Sequence, residues 1–106
     1  MIFIELTPFL ALRERHWTDD EFGALQRLLL LMPNAGAVIH GADGIRKLRW
    51  SAQQRGKRGG TRVIYYWHRR ADCIYLIYGY TKSQQANLTA RQLKRLLHLL
   101  RESVDG

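Results

Sequence analysis

The chain has 106 residues, 46% of them hydrophobic, enough for one small domain over residues 1–106 with a modest core. Seventeen Lys and Arg against nine Asp and Glu give a formal net charge of +8, which favours nucleic acid, an anionic surface or an acidic partner. One cysteine, Cys73, excludes an internal disulfide, and the longest uncharged apolar run, Leu28 to Met32, is far too short to span a bilayer; both features fit a cytoplasmic protein.

Ile2 to Leu6 alternates like a strand, and Pro8 suits the first turn of a short helix over Phe9 to His16. Thr18-Asp19-Asp20-Glu21 is a capping box, with Trp17 and Phe22 at the staple positions, and it opens a helix that runs to Met32 before Pro33-Asn34. Asn34 to Gly44 is a glycine-rich connection. Gly44 to Ser51 reads as a strand, Gln53 to Gly60 as a polar basic turn, and Thr61 to Arg69 and Cys73 to Lys82 as two more strands around a turn at Ala71-Asp72. Thr89-Ala90-Arg91-Gln92 is a second capping box, and the helix after it carries the apolar stripe Leu93, Leu96, Leu97, Leu100 and Val104. The order β-α-α-β-β-β-α predicts an α+β domain: a small, mostly antiparallel sheet with the N-terminal helices packed on one face.

Chemistry concentrates between Gly44 and Ala71. Nine of the 17 cations lie there, Arg46, Lys47, Arg49, Arg55, Lys57, Arg58, Arg62, Arg69 and Arg70, with no Asp or Glu among them. A face that merely keeps a protein soluble mixes signs; an acid-free one with aromatic neighbours is the pattern of a polyanion-handling surface. Strand alternation assigns Leu48, Trp50, Val63 and Tyr65 to packing, and Lys47, Arg49, Arg62 and Tyr66 to a ligand face. Tyr80 shares the side of Lys82, so Tyr66 and Tyr80 are the tyrosines expected near a ligand, where a base stacked on an aromatic ring gains about 1–3 kcal/mol. His16, His40, His68 and His98 have no companion at ligand spacing, so no metal is predicted. Gly56, Gly59 and Gly60 precede no helix and form no phosphate-binding fingerprint, so no cofactor is predicted either.

Four segments in this order, G-I-R-K-L-R-W, G-K-R-G-G-T-R-V-I-Y-Y-W, I-Y-L-I-Y-G-Y-T-K and N-L-T-A-R-Q-L, resemble the RelE-like toxins of bacterial toxin–antitoxin pairs, most closely the HigB-type branch. The resemblance implies the small sheet with two N-terminal helices. It also implies a ribosome-dependent endoribonuclease that cuts messenger RNA and is silenced by an antitoxin, a helix-turn-helix protein. Carried over by position, the catalytic groups fall on Lys47, Arg62 and Lys82. The chain's own pattern of cations and tyrosines adds Arg46, Arg49, Arg55, Lys57, Arg58, Tyr66 and Tyr80 as the expected contacts to RNA and ribosome. Where RelE itself has a tyrosine after its last strand, this chain has S-Q-Q-A-N, and His98 lies far up the last helix, so the acid and base assignments stay open.

Cleavage by the RNA's own 2′-hydroxyl needs a base, charge stabilisation at phosphorus and an acid for the 5′-oxygen. Like charge disfavours a protonated lysine, which makes Lys47, between Arg46 and Arg49, the candidate base. Arg62 keeps its proton and suits a bidentate phosphate clamp, and Lys82 suits the leaving oxygen. Two other functions share the sequence features: a ParE-like gyrase inhibitor on the same fold, and an RNA-binding module without catalysis.

Overall fold

The computed structural model of the chain describes residues 1–50 and 60–105. Its elements are β1 (Ile2–Glu5), α1 (Thr7–His16), α2 (Asp19–Leu31), β2 (Ala37–Val38), β3 (Arg46–Trp50), β4 (Thr61–His68), β5 (Cys73–Thr81) and α3 (Ala90–Asp105). One sheet holds the strands in the order β1-β5-β4-β3-β2; β1 joins β5 in parallel and the other neighbours pair antiparallel. This is the α+β order expected, with the two-residue β2 added inside the glycine-rich connection. The basic turn expected at residues 53–60 lies, apart from Gly60, outside the described residues.

The helix starts follow their capping chemistry. Thr18 Oγ1 accepts from the Glu21 amide at 3.1 Å, and Glu21 Oε1 accepts from the Thr18 amide at 2.9 Å. Trp17 and Phe22 flank this box with ring centroids 6.4 Å apart, and Trp17 continues onto Trp50 of β3 at 4.8 Å. The Arg13 guanidinium donates to both Glu5 carboxylate oxygens, at 2.5 and 3.0 Å, tying α1 back to the end of β1. That bidentate hydrogen bond to Glu5 raises the Arg13 pKa above its ordinary value.

α1 and α2 cover one face of the sheet. Phe9, Leu25 and Leu29 pack there on Leu48, Trp50, Val63, Tyr65, Ile74 and Leu76. Gly79 of β5 permits this approach, because a β-carbon at that position would strike the side chain of Leu12. α3 takes the opposite face: Leu96 and Leu100 pack in one cluster with Ile45, Ile64, Tyr75, Ile77 and Tyr80. α3 opens on the Thr89–Gln92 box, with both of its hydrogen bonds at 3.0 Å.

Two details fix the central strands. The β4–β5 register moves from Ile64 opposite Tyr78 to Tyr65 opposite Leu76, so Ile77 is an extra residue bulged out of β5. On the other face the fully buried Tyr65 reaches the loop after α2, where its hydroxyl donates to Pro33 O and accepts from the Gly36 amide, both at 2.8 Å. Gly36 must be a glycine at this approach: a β-carbon would lie 2.9 Å from the Tyr65 ring and 3.0 Å from Lys47 O.

Tyr65→Phe keeps the ring but strands a buried amide and a carbonyl, and should cost about 1–3 kcal/mol in a urea titration. Burial pushes the phenols of Tyr65, Tyr75 and Tyr80 above their ordinary value. In the unfolded chain they ionise near pH 10, so their contribution to stability is complete below that pH. It is lost as pH rises from there through the folded-state values, because the unfolded state then binds fewer protons. Melting temperature should therefore fall above about pH 10, more steeply in the wild type than in Tyr75→Phe.

Candidate functional site

Strand alternation sorts the cations of β3 onto two faces. Arg46, Leu48 and Trp50 share one, with Leu48 opposite Val63 and Arg46 opposite Tyr65. Lys47 and Arg49 take the other. There Arg49 stands directly opposite Arg62 of β4, and Arg62 directly opposite Tyr80 of β5. Three adjacent strands thus lay Arg49, Arg62 and Tyr80 in a transverse row, and directly opposed Cβ atoms in such pairs are about 4.5–5.5 Å apart. Lys47 lies one step along, opposite Ile64, which in turn faces Tyr78.

Lys82 follows β5. Its amide reaches Gly60 O at 3.5 Å, one step beyond the Thr61–Thr81 pair, which brings it to the same end of the sheet as Arg62. Arg49 and Lys82 are exposed, whereas Lys47 and Arg62 are half-buried. Backbone register therefore gathers Lys47, Arg49 and Arg62 on the face that α3 covers farther along, with Lys82 in the turn at the same end of the sheet.

Three residues expected at a ligand are placed elsewhere or differently. Arg46 turns to the α2 side, where its guanidinium donates to Gly36 O at 2.7 Å and Asn34 O at 3.3 Å. It braces a loop, and it does not crowd Lys47 from the same face. Tyr66 shares the face of Arg62 but lies four residues along β4, about 13 Å at strand rise. There it adjoins His68, with centroids 6.0 Å apart, and lines a cleft with Leu100 and Arg101 of α3. Tyr80 is in the row, yet its side chain is 1% exposed, so its ring has no free face for a base to stack on. Arg55, Lys57 and Arg58 lie outside the described residues.

One set of residues carried no sequence signal as a group. Gln84 Oε1 accepts from the Thr81 amide at 2.9 Å, beside Lys82. The Gln85 amide donates to Gln92 Oε1 at 2.8 Å, and the Tyr78 hydroxyl donates to Gln85 Oε1 at 3.3 Å. Gln92 also caps α3, so the turn carrying Lys82 is bound both to the strand before it and to the helix after it. Spacing shows the cap at Gln92; it does not show that the same amide reaches back to Gln85.

The family model of the RelE toxin of the RelE/RelB toxin–antitoxin system matches residues 36–104, well over half of the chain. The chain belongs to the RelE toxin family. The match runs from Gly36, which Tyr65 holds, into the last turns of α3, so all four gathered cations fall inside it. Membership gives the protein the role of a toxin, with an antitoxin as the implied partner. Among the described residues, no helix is long and apolar enough to cross a membrane.

The two faces of β3 separate by substitution. Arg46→Gln removes the loop brace and should lower stability by on the order of 1 kcal/mol without changing elution from a heparin column. Arg49→Gln removes a cation opposite another cation. It should stabilise the fold by about 0.2–1 kcal/mol and elute from heparin at clearly lower salt.

Proposed function

We propose that this RelE-family toxin is a cytoplasmic, ribosome-dependent endoribonuclease that cuts messenger RNA by attack of the RNA's own 2′-hydroxyl. The observation that carries this reading is the cation row, Arg49 directly opposite Arg62 with Lys47 and Lys82 around it. Like charges opposed across strands oppose folding, and a phosphate seated between them turns that repulsion into charge-assisted hydrogen bonding.

In the proposed cycle Lys47 is the base that takes the 2′-hydroxyl proton, and the freed oxygen attacks phosphorus. The bond to the 5′-oxygen breaks, and Lys82 gives that oxygen a proton. The products are a 2′,3′-cyclic phosphate and a 5′-hydroxyl. Arg62 holds the non-bridging oxygens throughout, because a guanidinium keeps its charge and presents a planar fork of donors. Arg49 steadies the same phosphate from β3. Acid–base help of this kind contributes about 10²–10⁴-fold, while alignment of reactants supplies on the order of 7–11 kcal/mol. The chain's own groups thus cover the smaller share, and the ribosome is assigned the alignment of the message.

Mapping transcript 5′ ends after induction tests this. The wild type should halt translation and leave cut messages. Arg62→Ala should lose about 10²–10³-fold in cleavage while still binding its antitoxin. A folded Arg62→Ala protein that cuts like the wild type removes Arg62 from the mechanism. A DNA-damage response without cut transcripts would instead indicate gyrase poisoning. Salt-dependent RNA binding without cleavage on translating ribosomes would leave a binding module.

A further inference from the structure

The Tyr80 hydroxyl is buried and has no hydrogen-bond partner among the described residues. Two other tyrosines of the central strands differ: Tyr65 makes two hydrogen bonds, and Tyr78 meets Gln85. An orphan buried hydroxyl is a net cost to folding, and phenylalanine would fill the same space without that cost. Packing therefore accounts for the ring of Tyr80 and not for its oxygen.

Register places this side chain directly opposite Arg62 and on the same face. The phenol lies within reach of the guanidinium's field: burial raises its pKa, and the Arg62 charge pulls it back down. A phenol hydroxyl is an acceptor as well as a donor, so its oxygen can take an N–H from the guanidinium. A guanidinium has five N–H donors and a bidentate phosphate takes two, which leaves donors for a second, fixed acceptor.

We propose that Tyr80 is a positioning residue for Arg62: its hydroxyl accepts one guanidinium N–H when a phosphate arrives, and so fixes the fork that clamps the phosphate. The assignment rests on the phosphate-clamping role given to Arg62 above, and it replaces base stacking as the contribution of Tyr80. It works as an outer hydrogen bond works on a metal ligand, by orienting a group that touches the substrate. Arginine is required opposite it, because a lysine ammonium has no planar fork to orient.

The test uses Tyr80→Phe, Arg62→Lys and the double variant, titrated with a cleavage-resistant 2′-O-methyl RNA oligonucleotide at fixed salt. Tyr80→Phe should weaken binding about 10-fold in the Arg62 background, the loss expected for one hydrogen bond to a charged group. In the Arg62→Lys background it should weaken binding by less than about 2-fold, the coupling expected of a positioning pair. Its melting temperature should equal or exceed that of the wild type. Unchanged affinity in Tyr80→Phe, or an equal loss in both backgrounds, overturns the assignment. Cleavage on translating ribosomes is measured alongside. A wild type that shows the binding coupling but never cuts overturns the endoribonuclease reading alone and leaves the Tyr80–Arg62 pair standing.

Discussion

The cost of taking charge out of water governs how this small sheet is covered. β4 is packed on both sides along most of its length, by α1 and α2 through Val63 and Tyr65, and by α3 through Ile64. A guanidinium placed in either interface would lose hydration that apolar neighbours cannot replace. The α3 stripe therefore settles where β4 and β5 offer Ile64, Tyr75, Ile77 and Tyr80, and the exposed Arg49 and Lys82 and the half-buried Arg62 are left at one end of the sheet. Arg62 two residues before Ile64 sets the limit of the helix's footprint. The same alternation that builds a two-sided core makes the cations converge, since opposed positions on neighbouring strands share a face.

The gathered cations need a rigid platform, and the opposite face supplies it. Tyr65 sits between Ile64 and Tyr66 on β4 and pins the loop after α2 through Pro33 and Gly36. Arg46 secures the same loop from β3, next in sequence to Lys47. Each residue thus ties down a strand whose neighbouring side chain lies on the cation face. Gly79 plays the matching part on β5, letting α1 press on the sheet directly behind the Tyr80 row. All of these contacts brace the strands from the face opposite the cations, without touching a cation.

Features fixed by local chemistry were legible in the sequence. Both capping boxes form, Cys73 is buried, and the split of Leu48, Trp50, Val63 and Tyr65 from Lys47, Arg49 and Arg62 follows from period-2 alternation. The family was legible too, from motifs that fall inside the matched segment. The rest depends on long-range pairing. The bulge at Ile77 leaves no mark, because C-I-Y-L-I-Y-G-Y-T-K is apolar at nearly every position and its pattern does not change where the register slips. Alternation puts Arg46 on the other face, but only the path of the loop after α2 shows which carbonyls it meets. The α3 stripe announces a buried face without saying which side of the sheet receives it. Tyr66 and Tyr80 were grouped by parity, and parity carries no distance along a strand and no measure of what lies overhead.

The family match also divides the labour within the chain. It starts at Gly36, so β1, α1 and α2 lie outside it, while the cation face and the helix that bounds it lie within. The N-terminal elements act on the face only through packing, with the Glu5–Arg13 pair and the Trp17–Trp50 contact setting where the two helices rest. Within the matched part, β3 and β4 must each satisfy a core on one face and a charge on the other. Under the endoribonuclease reading this explains why so few groups suffice. The sheet fixes the spacing of the cations, and under that reading the ribosome fixes the RNA for in-line attack.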